Sequence, residues 1–200
     1  MYISNSYAYL DPDFSYTDSN TGILKNIQNI TDPDVLLFIE SSAVAKRIKE
    51  LFDNPIKIKD SNSLLTIHHY LFQDVYAWAG KVRTVNISKD GKPFFDGERF
   101  AIAFQYIDNL LLEYKNIRKT NRNQIAEKLA ELWDNINYLH PFREGNGRTQ
   151  REFIRLLALE KGYQLNLNPA DNKSVYDRYM QGTIESDVKT LTDLILELLK

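Results

Sequence analysis

Phe153, Ile154, Leu156, Leu157 and Leu159 make one short stretch apolar on nearly every side of a helix. A helix of that kind is stable in water only when other elements surround it. The pattern therefore predicts a central helix over about 147–161, closed by Gly162, with amphipathic elements layered around it.

The rest of the chain supplies those layers. Asp32-Pro33 reads as an N-cap followed by proline at the first helical position. Val35, Ile39, Ala43, Ile48 and Leu51 then recur at helical spacing, up to the stop at Asp53-Asn54-Pro55. A second helix is predicted from about Ser61 to Ala77, with Leu64, Leu65, His68, Leu71, Phe72 and Val75 on its apolar face and Gly80 as its breaker. Val82 to Phe95 changes character: β-forming residues flank Lys89-Asp90-Gly91-Lys92, a hairpin signal. Helical spacing resumes over Phe100–Tyr114 and again over Ile125–Leu139, where Pro141 pushes His140 out of the helical region. Two more helices are expected at about 172–181 and 187–199. Residues 1–30 read as an irregular arm packed on a single body formed by residues 31–200. The fold class is mainly α, a helical bundle with one hairpin.

Composition narrows the function. Twenty-five basic against 27 acidic residues leave a net charge of −2, which argues against direct nucleic-acid binding through a broad basic face. Cysteine is absent, so disulfides, thiolate zinc sites and a thiol nucleophile are excluded. No apolar run has the length to cross a bilayer, so no membrane partner is expected. Met1 to Phe14 lacks the basic and apolar regions of a secretion signal, which makes the cytoplasm the expected compartment.

The chemistry concentrates in His140-Pro141-Phe142-Arg143-Glu144-Gly145-Asn146-Gly147-Arg148-Thr149-Gln150-Arg151. Gly145, Asn146 and Gly147 precede a helix whose N-terminal N–H groups and partial positive charge suit phosphate. Arg148 and Arg151, three residues apart, are placed on one face of that helix. Two arginines in a first turn are unfavourable against the dipole unless an anion sits there. Glu144 adds a carboxylate to a cationic nest, which a Mg²⁺ ion bridging carboxylate and phosphates would explain. His140 offers a base that titrates near neutral pH. Taken singly, each has an ordinary structural role: a helix-ending histidine, a solvated glutamate, a turn. Together they read as a site for phosphoryl or nucleotidyl transfer. The adjacent pair His68-His69 reads as structural, because neighbours on a helix face different ways.

Residues 140–151 match the motif H-P-F-x-[D/E]-G-N-G-R-x-x-R at every fixed position, and the chain there resembles the Fic domain family. Leu71 to Arg83 is similar to the family's stretch leading into its hairpin flap. Tyr9-Leu10-Asp11-Pro12 with Gly22 to Asn26 resembles the start of bacterial cell filamentation Fic proteins. The resemblance implies a Fic fold for 31–200 and an enzyme that moves AMP from ATP, with Mg²⁺, to a hydroxyl side chain of a target protein. It implies His140 as the base, Phe142 as the loop's buried anchor and Glu144 as the metal ligand. It places Gly145, Asn146, Gly147, Arg148 and Arg151 on the phosphates. The flap, with Ile87, Ser88, Lys89 and Phe94, would lay a target segment alongside as an added strand, Phe94 or Phe95 either clamping it or packing in the core. Tyr176 and Tyr179 are candidates for an adenine pocket. The inhibitory pattern of many relatives, [S/T]-x-x-x-E-[G/N], is not found in these 200 residues. That points to the subclass restrained by a separate small antitoxin, with a bacterial topoisomerase as the first guess for the target. Transfer of another phosphate-containing group and a silent nucleotide-binding scaffold stay open as alternatives. Gly147, where phosphorylating relatives carry lysine, favours AMP.

Overall fold

The computed structural model describes residues 7–167 and 173–200. Helix α5 (Asn146–Glu160) runs through the middle. Phe153, Ile154, Leu157 and Ala158 are fully buried on it, while Leu159 stands 39% exposed, so the all-round apolar stretch has one open side. Around α5 pack α2 (Ser63–Phe72) and α4 (Arg122–Leu139). Outside α4 lie α3 (Phe100–Asn116) and α7 (Val188–Leu198), and α6 (Lys173–Glu185) packs on α7. The predicted start of α6 at Asn172 lies outside the described residues. Ile125, Leu129, Leu132, Trp133, Ile136 and Leu139 of α4 all face the core, as their spacing predicts.

Helix α1 (Pro33–Asp53) starts as its sequence dictates, the Asp32 carboxylate accepting from the N–H groups of Asp34 and Val35. Its buried face is rotated from the predicted stripe. Leu36, Glu40, Val44 and Leu51 turn inward, while Val35 is 47% exposed. The rotation has an electrostatic cause, because Glu40 finds an arginine partner inside. Helix α2 ends at Phe72, five residues short of the predicted Ala77. The chain there folds into turns that two imidazoles hold: the Gly80 N–H donates to His68 Nδ1 at 2.8 Å, and His69 Nδ1 lies 3.1 Å from the Ala79 carbonyl.

The hairpin is β2 (Asn86–Lys89) and β3 (Lys92–Pro93), turning at Asp90 and Gly91, both with positive φ. The strand does not reach back to Val82, since the Arg83 N–H donates to the Pro141 carbonyl at 2.8 Å instead. The N-terminal arm is not wholly irregular. Strand β1 (Tyr7–Leu10) pairs antiparallel with β2, Tyr7 opposite Lys89 and Leu10 opposite Asn86, giving a three-stranded sheet in the order β1-β2-β3. The arm then docks on the body through Tyr16, whose hydroxyl accepts from the Thr84 N–H at 3.0 Å. No helix among the described residues is long and apolar enough to cross a membrane.

Candidate active site

The α4–α5 junction turns on two left-handed residues. His140 ends α4 at φ 43°, ψ 59°, a conformation histidine tolerates better than most side chains and one that Pro141 permits. Gly145 precedes α5 at φ 81°, and a Cβ there would lie 2.3 Å from the Phe72 ring, so only glycine fits. Between them Asn146 closes the loop. Its side-chain oxygen accepts from the Phe142 N–H at 2.9 Å and its amide donates to the Phe142 carbonyl at 2.7 Å. The Asn146 side chain is thus spent on the loop, and what it offers a phosphate is its backbone N–H. Phe142 is buried and stacks on His68 with ring centroids 3.8 Å apart.

His68 is more than packing. Because its Nδ1 accepts from Gly80, the ring proton sits on Nε2, which donates to the Glu144 carbonyl at 3.0 Å. Arg83 holds the other end of the loop. Fully buried, it donates from Nε to the His140 carbonyl at 2.9 Å and from Nη1 to the Val85 carbonyl at 2.7 Å. Its Nη2 donates to the Phe95 carbonyl. One side chain therefore ties the base of the hairpin to His140.

His140 Nδ1 lies 3.1 Å from the Asn137 carbonyl. A carbonyl only accepts, so the neutral ring carries its proton on Nδ1, and Nε2 is the basic nitrogen. Burial pushes the pKa of His140 down to about 3, and the nearby Arg83 and Lys89 cations add to this, so the ring is neutral at pH 7 but titrates well below the near-neutral range its residue type predicts. Phe94 lies over it at a centroid distance of 3.8 Å, half-buried, neither core nor open clamp. Phe95 instead packs edge-on against Tyr138.

No side chain caps α5, so its first N–H groups point outward with the helix's positive end. Gly147 opens on a cavity of about 470 Å³ that His140, Phe94, Asn137, Tyr179 and Thr183 also line. Tyr176 is not among the lining residues. It stands 36% exposed, in edge contact with Tyr179. The two arginines, placed on one face by their spacing, take different partners around it. Arg148 Nη1 sits 2.6 Å from Glu40 Oε1, its Nη2 is 3.4 Å from Glu144 Oε1, and its guanidinium lies 4.7 Å over the Phe72 ring. Arg151 lies over Tyr179 at 5.7 Å, and Tyr179 in turn stacks on Trp133. Both arginines open on a second cavity of about 630 Å³ between α1, α5 and residues 163–167.

Glu144 keeps 38% of its side chain exposed, with Oε1 accepting from the Gly145 N–H at 2.8 Å. Among the described residues no three His, Asp or Glu side chains gather to cage a metal. A single partly exposed carboxylate beside an uncapped helix N-terminus instead fits Mg²⁺, which takes one or two carboxylates and completes its shell with phosphates and water. On the hairpin, Ile87 is buried, and Ser88 and Lys89 pair with β1 on one side and β3 on the other. Glu40 escaped the sequence reading, and Tyr76 and Arg83 entered it only as part of the stretch Leu71 to Arg83, with no role of their own. The available signal for Glu40 was a charge in the middle of the apolar series Leu36, Glu40, Val44.

The chain matches the Fic/DOC family over residues 59–158. It is 37% identical over 161 residues to protein adenylyltransferase VbhT of Bartonella schoenbuchensis, covering 80% of this chain and 34% of VbhT, so it spans about a third of that relative. Over 151 residues it is 33% identical to "Probable protein adenylyltransferase Fic" of Escherichia coli strain K12, covering 72% of each. Among solved structures, the N-terminal Fic domain of a cell filamentation protein from Bartonella quintana, with bound ADP, superposes with a TM-score of 0.81 at 26% identity. That match covers 92% of this chain and 94% of the other.

Proposed function

The chain belongs to the Fic/DOC family, and on that premise we propose that it is a protein adenylyltransferase, moving AMP from ATP to a hydroxyl side chain of a target protein. The observation that carries this reading is the tautomer of His140. A neutral imidazole whose Nδ1 faces a main-chain carbonyl, leaving Nε2 as its basic nitrogen, lines the same cavity as Gly147, at an uncapped helix N-terminus.

Gly147 supports it independently. A Cβ at this position would meet Arg151 and Tyr179 at 3.4 Å, an ordinary contact. Packing therefore does not demand a glycine that costs the helix about 1 kcal/mol, whereas close approach of a phosphate does. Adenosine is assigned to the cavity beside Tyr179, and the phosphate chain crosses the N–H groups of α5 toward Arg148 and Arg151. The Bartonella quintana relative binds ADP, in line with a nucleotide on this fold.

In the reaction the target oxygen attacks the α-phosphorus, the bond to the β-phosphate oxygen breaks, and pyrophosphate leaves. The hydroxyl proton passes to His140 Nε2. Glu144 is the residue that would hold Mg²⁺, whose charge offsets that of the phosphates when it is bound. Arg83 and the Asn137 carbonyl keep the imidazole aimed, which is worth more in rate than its basicity alone.

The protein is further inferred to be the toxin half of a pair held inactive by a separate small antitoxin. The lack of the [S/T]-x-x-x-E-[G/N] pattern in these 200 residues supports that reading. A bacterial topoisomerase is the first target to assay, on resemblance alone. Incubating the chain with native lysate and ATP labelled at the α- or γ-phosphate tests the reaction class. Label from the α-position on a protein is the expected result. Label from the γ-position alone would mean phosphorylation. His140→Ala is expected to abolish labelling and keep nucleotide binding.

A further inference from the structure

Glu40 is buried, 6% exposed, among Leu36, Val44 and Leu51 on the inner face of α1. A buried carboxylate persists only where both oxygens are satisfied. Here Oε1 takes Arg148 at 2.6 Å, and Oε2 accepts the hydroxyl of Tyr76. Tyr76 is itself buried and stacked on Trp78 at 4.3 Å, so the seat is rigid. Residue 40 also lies outside the 59–158 stretch that carries the family match. An element from beyond that stretch thus reaches into the phosphate site.

We propose that Glu40, seated by Tyr76, is a positioning residue that holds Arg148 ready for the terminal phosphates of the nucleotide. An unrestrained arginine has many rotamers to lose on binding. With one Nη on Glu40 and the guanidinium over Phe72, most of that freedom is gone before the nucleotide arrives. The Glu144 contact, at 3.4 Å, is the weaker of the two. It is the one that a cation on Glu144 would replace. A carboxylate orienting the cation that grips phosphate is the arrangement of the Lys–Glu pair in kinases.

This rests on the proposed nucleotide reading, and the test separates the two. ATP and AMP are titrated calorimetrically with Mg²⁺ against wild type, Glu40→Gln and Tyr76→Phe. AMP carries no phosphate that reaches Arg148. ATP binding is expected to weaken by about tenfold in Glu40→Gln and by a few-fold in Tyr76→Phe, with AMP binding within about twofold of wild type in both. Tyr76→Phe removes no charge, so weakening there belongs to positioning. Tighter ATP binding by Glu40→Gln would make Glu40 a rival of the phosphates and overturn the proposal. Equal losses for ATP and AMP, or none, would reduce Glu40 to a packing residue and overturn it while leaving the adenylyltransferase reading in place. A wild type that binds ATP no tighter than AMP would overturn the phosphate assignment, and the role of Glu40 with it.

Discussion

Two imidazoles in this fold are neutral at physiological pH for the same reason. Burial pushes both His68 and His140 down to about 3, and neighbouring cations push in the same direction: Arg148 for His68, Arg83 and Lys89 for His140. Each ring spends a nitrogen on a main-chain group, so neutrality fixes one tautomer apiece. Stability inherits a pH dependence from this. Below about pH 6.5 the unfolded chain takes up protons that the folded chain refuses. Folding is therefore most favourable above that value and weakens as the pH falls toward 3. Between about pH 7 and about pH 5.5 the two histidines together are expected to cost roughly 2–3 kcal/mol of unfolding free energy. Most carboxylate titration lies below that window. Urea unfolding at the two pH values checks it, and His68→Gln should remove about half the difference. At this same scale the loop was largely readable. Gly145, Pro141 and His140 act through their own backbone geometry, which is a property of residue type. Asn146 was harder. An asparagine between glycines beside a phosphate site reads as a ligand, while its side chain serves the Phe142 backbone.

Elements were readable where periodicity decides them and misjudged where a distant side chain intervenes. The apolar spacing of α2 continues to Val75, yet the helix stops at Phe72. His68 and His69 offer the backbone of 79–80 better partners than another helical turn would. The face of α1 rotates because Glu40 finds Arg148, a pairing that no local window contains. Arg83 acts at this scale too, spending its donors on carbonyls of His140, Val85 and Phe95 and so joining hairpin to loop. Replacing it with methionine leaves those buried carbonyls without their donor. The phosphate cradle, built from Gly145 to Arg151, makes none of these bonds. Arg83→Met is therefore expected to lower the turnover of target labelling by at least about tenfold while ATP affinity stays within about twofold. Arg83→Lys, which keeps the charge and loses the planar fork, should fall between. Turnover from labelled ATP, set beside calorimetric affinity, separates the two effects. A parallel loss of both would mean that Arg83 supports the cradle as well.

The whole molecule places its own N-terminal strand where a partner strand was expected. A hairpin with an open edge is a template for strand addition. Here the edge of β2 is taken by residues 7–10, paired from Tyr7–Lys89 to Leu10–Asn86. The sequence hid this, because Tyr7-Ala8-Tyr9-Leu10 has two strand-favouring tyrosines but is too short to announce a strand without its partner across the fold. Of the two outer edges that the order β1-β2-β3 leaves, β1 and β3, the latter is two residues long and includes Pro93, which has no N–H to donate. A target segment that docks by strand addition must therefore displace β1 from β2, add outside β1, or accept the poorer edge at β3; a fall in labelling when β1 is deleted would mark the second route. Deleting residues 1–10 distinguishes these routes. Loss of β1 should speed amide exchange at 86–89, which reports that the edge is free. If docking uses β2, the shortened chain should label lysate proteins from α-labelled ATP faster than the full chain, with ATP affinity unchanged. If labelling holds steady while exchange at 86–89 rises, the target enters along β3, and main-chain bonding contributes less to its capture than side-chain contacts do.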